Sequence, residues 1–156
     1  MRTVQGDLIQ LAKAGEFDVI IHGCNCQCSM GAGIALAIRE AFPEAYAADR
    51  ATPRGDRGKL GTFSVGIVDR YHHELHVVNA YTQYHWEGEG VLVDYAAIRR
   101  CMYRLKRRYA RPPRLRIGLP KMGAGLARGD WHTIRAILEE ELDGTDATVV
   151  EFDRTG

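Results

Sequence analysis

Short β-branched runs alternate with stripes of helical period along almost the whole chain, and that alternation leaves few folds open. Asp18-Val19-Ile20-Ile21-His22 is apolar at consecutive positions, as a strand buried on both faces requires. Segments 62–68, 75–79, 115–119 and 147–152 have the same character, and 2–5 reads as a further short strand. Between them, Ile34, Ile38 and Phe42 fall four apart, with Pro43 marking a break. Tyr95, Ile98, Met102, Leu105 and Tyr109 form one continuous apolar stripe, and Trp131, Ile134, Leu138 and Leu142 form another. Asp130 stands where the last helix needs its N-cap. The pattern predicts an α/β protein whose sheet is covered on both faces. Segment 52–61, rich in Gly, Pro and Arg, reads as a surface loop. The chain carries no internal repeat, and 156 residues fit one domain spanning 1–156.

Several function classes fall away on composition. The chain has 21 basic and 20 acidic side chains, so bulk charge gives no reason to expect nucleic acid or a membrane surface as partner. No segment approaches the ~20 apolar residues of a bilayer span, and residues 1–7 lack the apolar run of a signal peptide. Cys24, Cys26 and Cys28 alternate in a C-x-C-x-C pattern that suits neither a disulfide framework nor a zinc site. Together with the lone Cys101 they point to a reduced, cytoplasmic protein. Neither a metal nor a cofactor is implied.

Glycine is the residue in excess, at 17 of the 156 positions. Two clusters lie where a strand passes through small residues into a helix. The first is His22-Gly23-Cys24-Asn25-Cys26-Gln27-Cys28-Ser29-Met30-Gly31-Ala32-Gly33-Ile34, and the second is Pro120-Lys121-Met122-Gly123-Ala124-Gly125-Leu126-Ala127-Arg128-Gly129-Asp130-Trp131. A turn of this kind exposes backbone N–H groups at a helix N-terminus, which suits a phosphate. Neither cluster is a Walker loop or a dinucleotide fingerprint. Tight helix–strand packing alone would also explain glycines here. Two such loops at strand C-terminal ends can face each other across a crevice, and a ligand with two phosphates would match the pair.

These residues resemble a family. Gly6-Asp7-Leu8 after the first strand, the 25–34 loop and the 123–131 loop are similar, in the right order, to the macrodomain, the ADP-ribose-binding fold. The string NCQCSMGAGIA resembles the branch that includes ADP-ribose-1″-phosphate phosphatases, terminal ADP-ribose protein glycohydrolases and DNA-deADP-ribosylating antitoxins. The resemblance implies a three-layer α/β/α fold around a mixed, mostly parallel sheet of about six strands. It assigns Asp7 to the adenine amino group, with the Leu8 backbone assisting, and Phe152 to stacking on adenine. Gly31, Ala32, Gly33 and Ile34 would line one side of the diphosphate and distal ribose. Gly123, Ala124, Gly125, Leu126 and Ala127 would wrap the other side, and Asn25 would reach the distal ribose hydroxyls. Read from the residues alone, Asp7 is equally a helix N-cap and Phe152 a core aromatic.

The resemblance is weakest at the catalytic positions. Glycohydrolases of this branch carry a nucleophilic lysine where Tyr81-Thr82-Gln83-Tyr84-His85-Trp86 places Gln83, and an acid where this chain has Ala127. A carboxamide cannot form the Schiff base that an amine forms. Hydrolysis by a water that Gln83 and Asn25 orient is the remaining route, with His85 as an acid–base group or an ordinary surface residue. Cys28 is either a reactive thiol near a helix N-terminus or an inert one. Lys121 reads as a solvent or phosphate-adjacent charge. The expected activity is binding of ADP-ribose and hydrolysis of ADP-ribose-1″-phosphate or of an ADP-ribosylated protein or nucleic acid. The alternatives are a non-catalytic ADP-ribose reader and a nucleic-acid-binding module. The last rests on the stretch 99–116, which carries Arg99, Arg100, Arg104, Lys106, Arg107, Arg108, Arg111, Arg114 and Arg116 without one carboxylate. Such a run is either a solvated face or a polyanion contact.

Overall fold

Strand β2 (Val19–Cys24) sits inside a six-stranded sheet of order β1-β6-β5-β2-β4-β3, hydrogen-bonded on both sides. The structure is a computed structural model that describes residues 1–71, 73–110 and 113–152. The other strands are β1 (Arg2–Gln5), β3 (Phe63–Val68), β4 (Leu75–Tyr81), β5 (Arg116–Leu119) and β6 (Asp146–Glu151). Every pairing is parallel except β3 with β4, whose short connection forces an antiparallel return.

Alternation along the strands explains the layers. Val19 and Ile21 of β2, with Val78, Ala80, Ile117 and Leu119, face α4 (Tyr95–Tyr109) and α5 (Trp131–Glu141). Ile20, with Val77 and Val150, faces the opposite way onto α1 (Leu8–Lys13), α2 (Gly33–Ala41) and α3 (Pro43–Arg50). Period-two side chains thus feed two separate cores, and each fully buried Ile or Leu contributes roughly 2 kcal/mol. The α4 stripe is fully committed to this packing, since Ile98, Cys101, Met102 and Leu105 are all inaccessible to solvent.

Three local features differ from the pattern in the sequence. Pro43 does end α2, but it also opens α3 at a first-turn position, where its missing N–H costs nothing. Helix α1 is six residues long, too short to show a stripe, and depends on the Asp7 cap. Segment 52–61 is not simply a surface loop: a 3₁₀ turn (Arg57–Lys59) tucks Lys59 inside, leaving it 5% exposed. Among the described residues, no helix is long and apolar enough to cross a membrane.

Candidate functional site

Because β2 and β5 are parallel neighbours, the segments that leave their C-terminal ends emerge side by side. From β2 the chain runs on to β3 and β4 on one side, and α4 carries it back to β5 on the other. The crevice at such a reversal is where open α/β sheets bind ligands.

The first wall runs from Asn25 into α2. Asn25 holds its own loop: its Oδ1 accepts from Gln27 N at 2.8 Å and its Nδ2 donates to Ser29 O at 3.0 Å. Gly31, Ala32, Gly33 and Ile34 are then exposed in sequence. Ala32 is the N-cap of α2 and has no side-chain acceptor, so the amides of Gly33, Ile34 and Ala35 open the helix uncapped. They carry the positive end of the helix dipole. Gly33 has φ of +57°, a conformation that glycine adopts without penalty.

The second wall, 120–130, is built differently. Gly129 N donates to Gly123 O at 2.7 Å, closing the loop upon itself. A Cβ on Gly129 would stand 2.6 Å from both Gly123 O and Val93 Cγ1, and one on Gly123 would meet Ile134 and Val93 at 3.0 Å. These two glycines serve packing. Gly125 has nothing within 4 Å of its would-be Cβ and is exposed with Leu126. Ala127 is buried instead, its methyl in the α4–α5 core and its carbonyl accepting from Leu92 N. The walls come within touching distance, because a Cβ at Gly33 would lie 3.3 Å from Leu126 Cδ1.

One end of the crevice lies above β1 and β6. Asp7 caps α1, its Oδ1 accepting from Ile9 N at 2.9 Å and Gln10 N at 3.1 Å. Leu8 is buried, so it offers only backbone. Phe152 follows β6 directly and is 66% exposed, hence not a core aromatic. Lys121 pairs with Glu151 at 3.4 Å beside it.

The other end lies above β4. Gln83 bridges to Val93 and donates from Nε2 to His85 O at 3.0 Å. His85 stacks on Trp86 with centroids 4.1 Å apart, and its Nδ1 accepts from Glu87 N, so it orders a surface loop. Asp130 caps α5, and its bonds from Thr133 hold its carboxyl below the usual range. Cys28 has φ of +54° and sits behind the first wall.

Beneath that wall runs a buried polar chain that strand patterning did not reveal. His22 Nε2 donates to Asn79 Oδ1 at 2.7 Å, directly across the β2–β4 register. Asn79 Nδ2 donates to Ser64 Oγ at 3.0 Å, Ser64 meets Tyr81 OH at 2.8 Å, and Tyr81 OH donates to Asp49 Oδ1 at 2.8 Å. Burial pushes the His22 imidazole down to about 4, against the Asn79 bond, so the ring is neutral near pH 7. Burial likewise raises Asp49, opposed by Tyr81 and Lys59. The only hint in the sequence was polar His22 and Asn79 inside otherwise apolar strands.

Four of the nine basic residues in the 99–116 run bond to other parts of the protein. Arg99 pairs with Glu140 and Glu141, Arg104 donates to Gly61 O, Arg114 to Thr145 O, and Arg116 pairs with Asp18. Arg111 lies outside the described residues.

The Macro domain family model matches residues 21–138, from β2 through most of α5, and so takes in both walls. The chain belongs to the macrodomain family. A 17.5 kDa protein from the tk–vs intergenic region of Enterobacteria phage T4 is 32% identical over 98% of this macrodomain and 97% of its own length. A DNA ADP-ribosyl glycohydrolase of Mycobacterium tuberculosis is 27% identical over 92% of the chain. The macrodomain spans only 40% of that relative. Among solved structures, the macrodomain of Mycobacterium tuberculosis DarG superposes with a TM-score of 0.73 at 21% identity, covering 96% of this chain and 95% of that one. That likeness concerns the fold.

Proposed function

We propose that this macrodomain binds ADP-ribose in the crevice and hydrolyses an ADP-ribose derivative, either ADP-ribose-1″-phosphate or an ADP-ribosylated protein or nucleic acid. The observation that carries the reading is the uncapped α2 N-terminus, met across the crevice by the Leu126 side chain of the exposed Gly125–Leu126 turn. Two donor arrays so placed suit a diphosphate, which neutralises the helix dipole on one side and takes N–H groups from both. Asp7, the Leu8 backbone and exposed Phe152 then receive the adenine. Gly31, Ala32, Gly33 and Ile34 line the first wall, while Gly123, Ala124, Gly125, Leu126 and Ala127 form the second. Of these last five, only Gly125 and Leu126 stand fully exposed, whereas Ala127 contributes backbone alone.

No amine stands at Gln83, so hydrolysis runs through water. Asn25 and Gln83 each spend one amide N–H on loop carbonyls. Each keeps a second N–H and carbonyl lone pairs, enough to orient one water. A second reading, a non-catalytic reader, is favoured by those same commitments and by the buried methyl at Ala127.

The test is calorimetry with ADP-ribose, then a turnover panel with ADP-ribose-1″-phosphate, ADP-ribosylated protein and ADP-ribosylated DNA. Binding that raises Tm by mass action, with release of phosphate or ADP-ribose, is expected. Absence of binding at millimolar ligand overturns both readings, and binding without turnover on any substrate leaves the reader. Asp7→Asn keeps an acceptor for the α1 cap while removing the charge, so affinity should fall severalfold at unchanged Tm.

A further inference from the structure

One flank of α4 carries charge that the protein does not neutralise. The helix has no carboxylate among its 15 residues, and Arg100, Arg104 and Arg108 follow one another at i, i+4 and i+8. That spacing puts the three on one face, about 6 Å apart along the axis. Their side chains lie over the entry to edge strand β3. A Cβ on Gly61 would stand 2.5 Å from Arg100 Nε, and Arg104 donates to Gly61 O at 2.9 Å. The Arg108 guanidinium lies 5.9 Å from the centre of the Phe63 ring. All three residues are exposed, and among the described residues none has a carboxylate within ion-pair distance. Arg99, one position away, turns instead to Glu140 and Glu141 of α5. Two carboxylates border the flank, and both are engaged. Glu74 bonds to His76, which bonds in turn to Tyr109 beside Arg108, and Asp56 caps the 3₁₀ turn beside Arg57.

The basic line continues toward the distal end of the crevice. The Arg57 guanidinium lies 3.8 Å from the centre of the Tyr84 ring, next to Gln83. Two residues further on, Trp86 rests one face on His85 and is still 47% exposed.

Net charge is close to zero, yet a field acts where its charges are grouped. A row of guanidinium groups held in place over a strand entry suits a row of anions better than a single one. An acidic peptide would answer the arginines and leave the indole idle. A polynucleotide answers both, with phosphates for the row and a base for the ring. The repeat of about 6 Å suits successive phosphates of an extended strand, and only an unpaired base offers its face to an indole.

We propose that single-stranded nucleic acid docks along this flank, with its phosphates on Arg100, Arg104 and Arg108 and a base on Trp86. The arginines stand outside the crevice walls, so the docking does not depend on ADP-ribose.

The experiment follows fluorescence anisotropy of a labelled, unmodified single strand of about twelve nucleotides across a salt series. Arg100→Gln/Arg108→Gln should weaken binding at least tenfold at about 50 mM salt and make the salt slope shallower by about 1.4, at ~0.7 for each phosphate released. Arg39→Gln/Arg50→Gln removes the same charge from the opposite face of the sheet and should change affinity by no more than about twofold. Trp86→Ala should cost about tenfold, the stacking of one base. ADP-ribose affinity of Arg100→Gln/Arg108→Gln should match the wild type, which keeps this result separate from that of the crevice. No binding at about 50 mM salt, an unchanged slope in Arg100→Gln/Arg108→Gln, or an equal loss in the control pair overturns the proposal. So does full affinity in Trp86→Ala, or a duplex that binds as tightly as the strand. Should the double variant not fold, Arg100→Gln and Arg108→Gln singly should each take half of that slope.

Discussion

The two walls of the crevice look alike in sequence and are held by opposite means. The first is suspended from side-chain bonds: Asn25 to Gln27 and Ser29, Gln27 to Tyr84, with buried Lys59 beneath. Its glycines stay clear of the core. The second is closed by backbone and close packing, with Gly123 and Gly129 wedged against Val93 and Ile134. Glycine therefore means reach in one wall and compactness in most of the other. A substitution should act on ligand affinity in the first and on folding in the second.

The largest expected effect tests the packed wall. Gly129→Val drives a side chain into Gly123 O and Val93, so denaturant unfolding should show a loss of about 3 kcal/mol. A stability loss below about 1 kcal/mol would mean that this wall is as free as the other.

The polar support of the first wall predicts a pH effect of similar size. The folded His22 value of about 4 lies below the ordinary 6.5, so the unfolded chain takes up this proton first as pH falls. Its share of stability is whole above pH 6.5 and lost between there and about 4. The loss is about 3 kcal/mol. Thermal unfolding across that range should show it, and His22→Gln should flatten the slope.

Gly33→Val places a β-branched residue at φ +57° and against Leu126. ADP-ribose affinity should fall tenfold or more by calorimetry, with about 1–2 kcal/mol of backbone strain. Gly125→Ala is the smallest case. Its Cβ meets open space, so Tm should hold within the scatter of a surface change, about 0.5 kcal/mol. Affinity should still drop severalfold if a diphosphate rests on that backbone. Equal affinity would assign Gly125 to the loop alone.

What the sequence disclosed was local. The α4 stripe, the Asp130 cap and the strand runs each depend on neighbours within a few residues, and each stands where the pattern puts it. The two glycine clusters were visible for the same reason. Their division of labour was not, because Val93, Ile134 and Leu126 reach Gly129, Gly123 and Gly33 from distant positions. The burial of Lys59 is not legible in the sequence for the same reason, since a lysine in a Gly/Pro/Arg segment looks solvated until Cys26 and Tyr81 enclose it. Asp7 carried two readings in the sequence. The cap is on view in the fold, and the adenine contact awaits the Asp7→Asn experiment.

The position of β2 has a consequence for exchange with solvent. Strand β4 lies along one flank and β5 along the other, and Ile20 and Ile21 are fully buried. Their amides should exchange with deuterium only when the whole molecule opens, while those of edge strand β1 fray early. The first wall thus hangs from the slowest-opening part of the protein, and local opening of its loop need not disturb the strand that carries it.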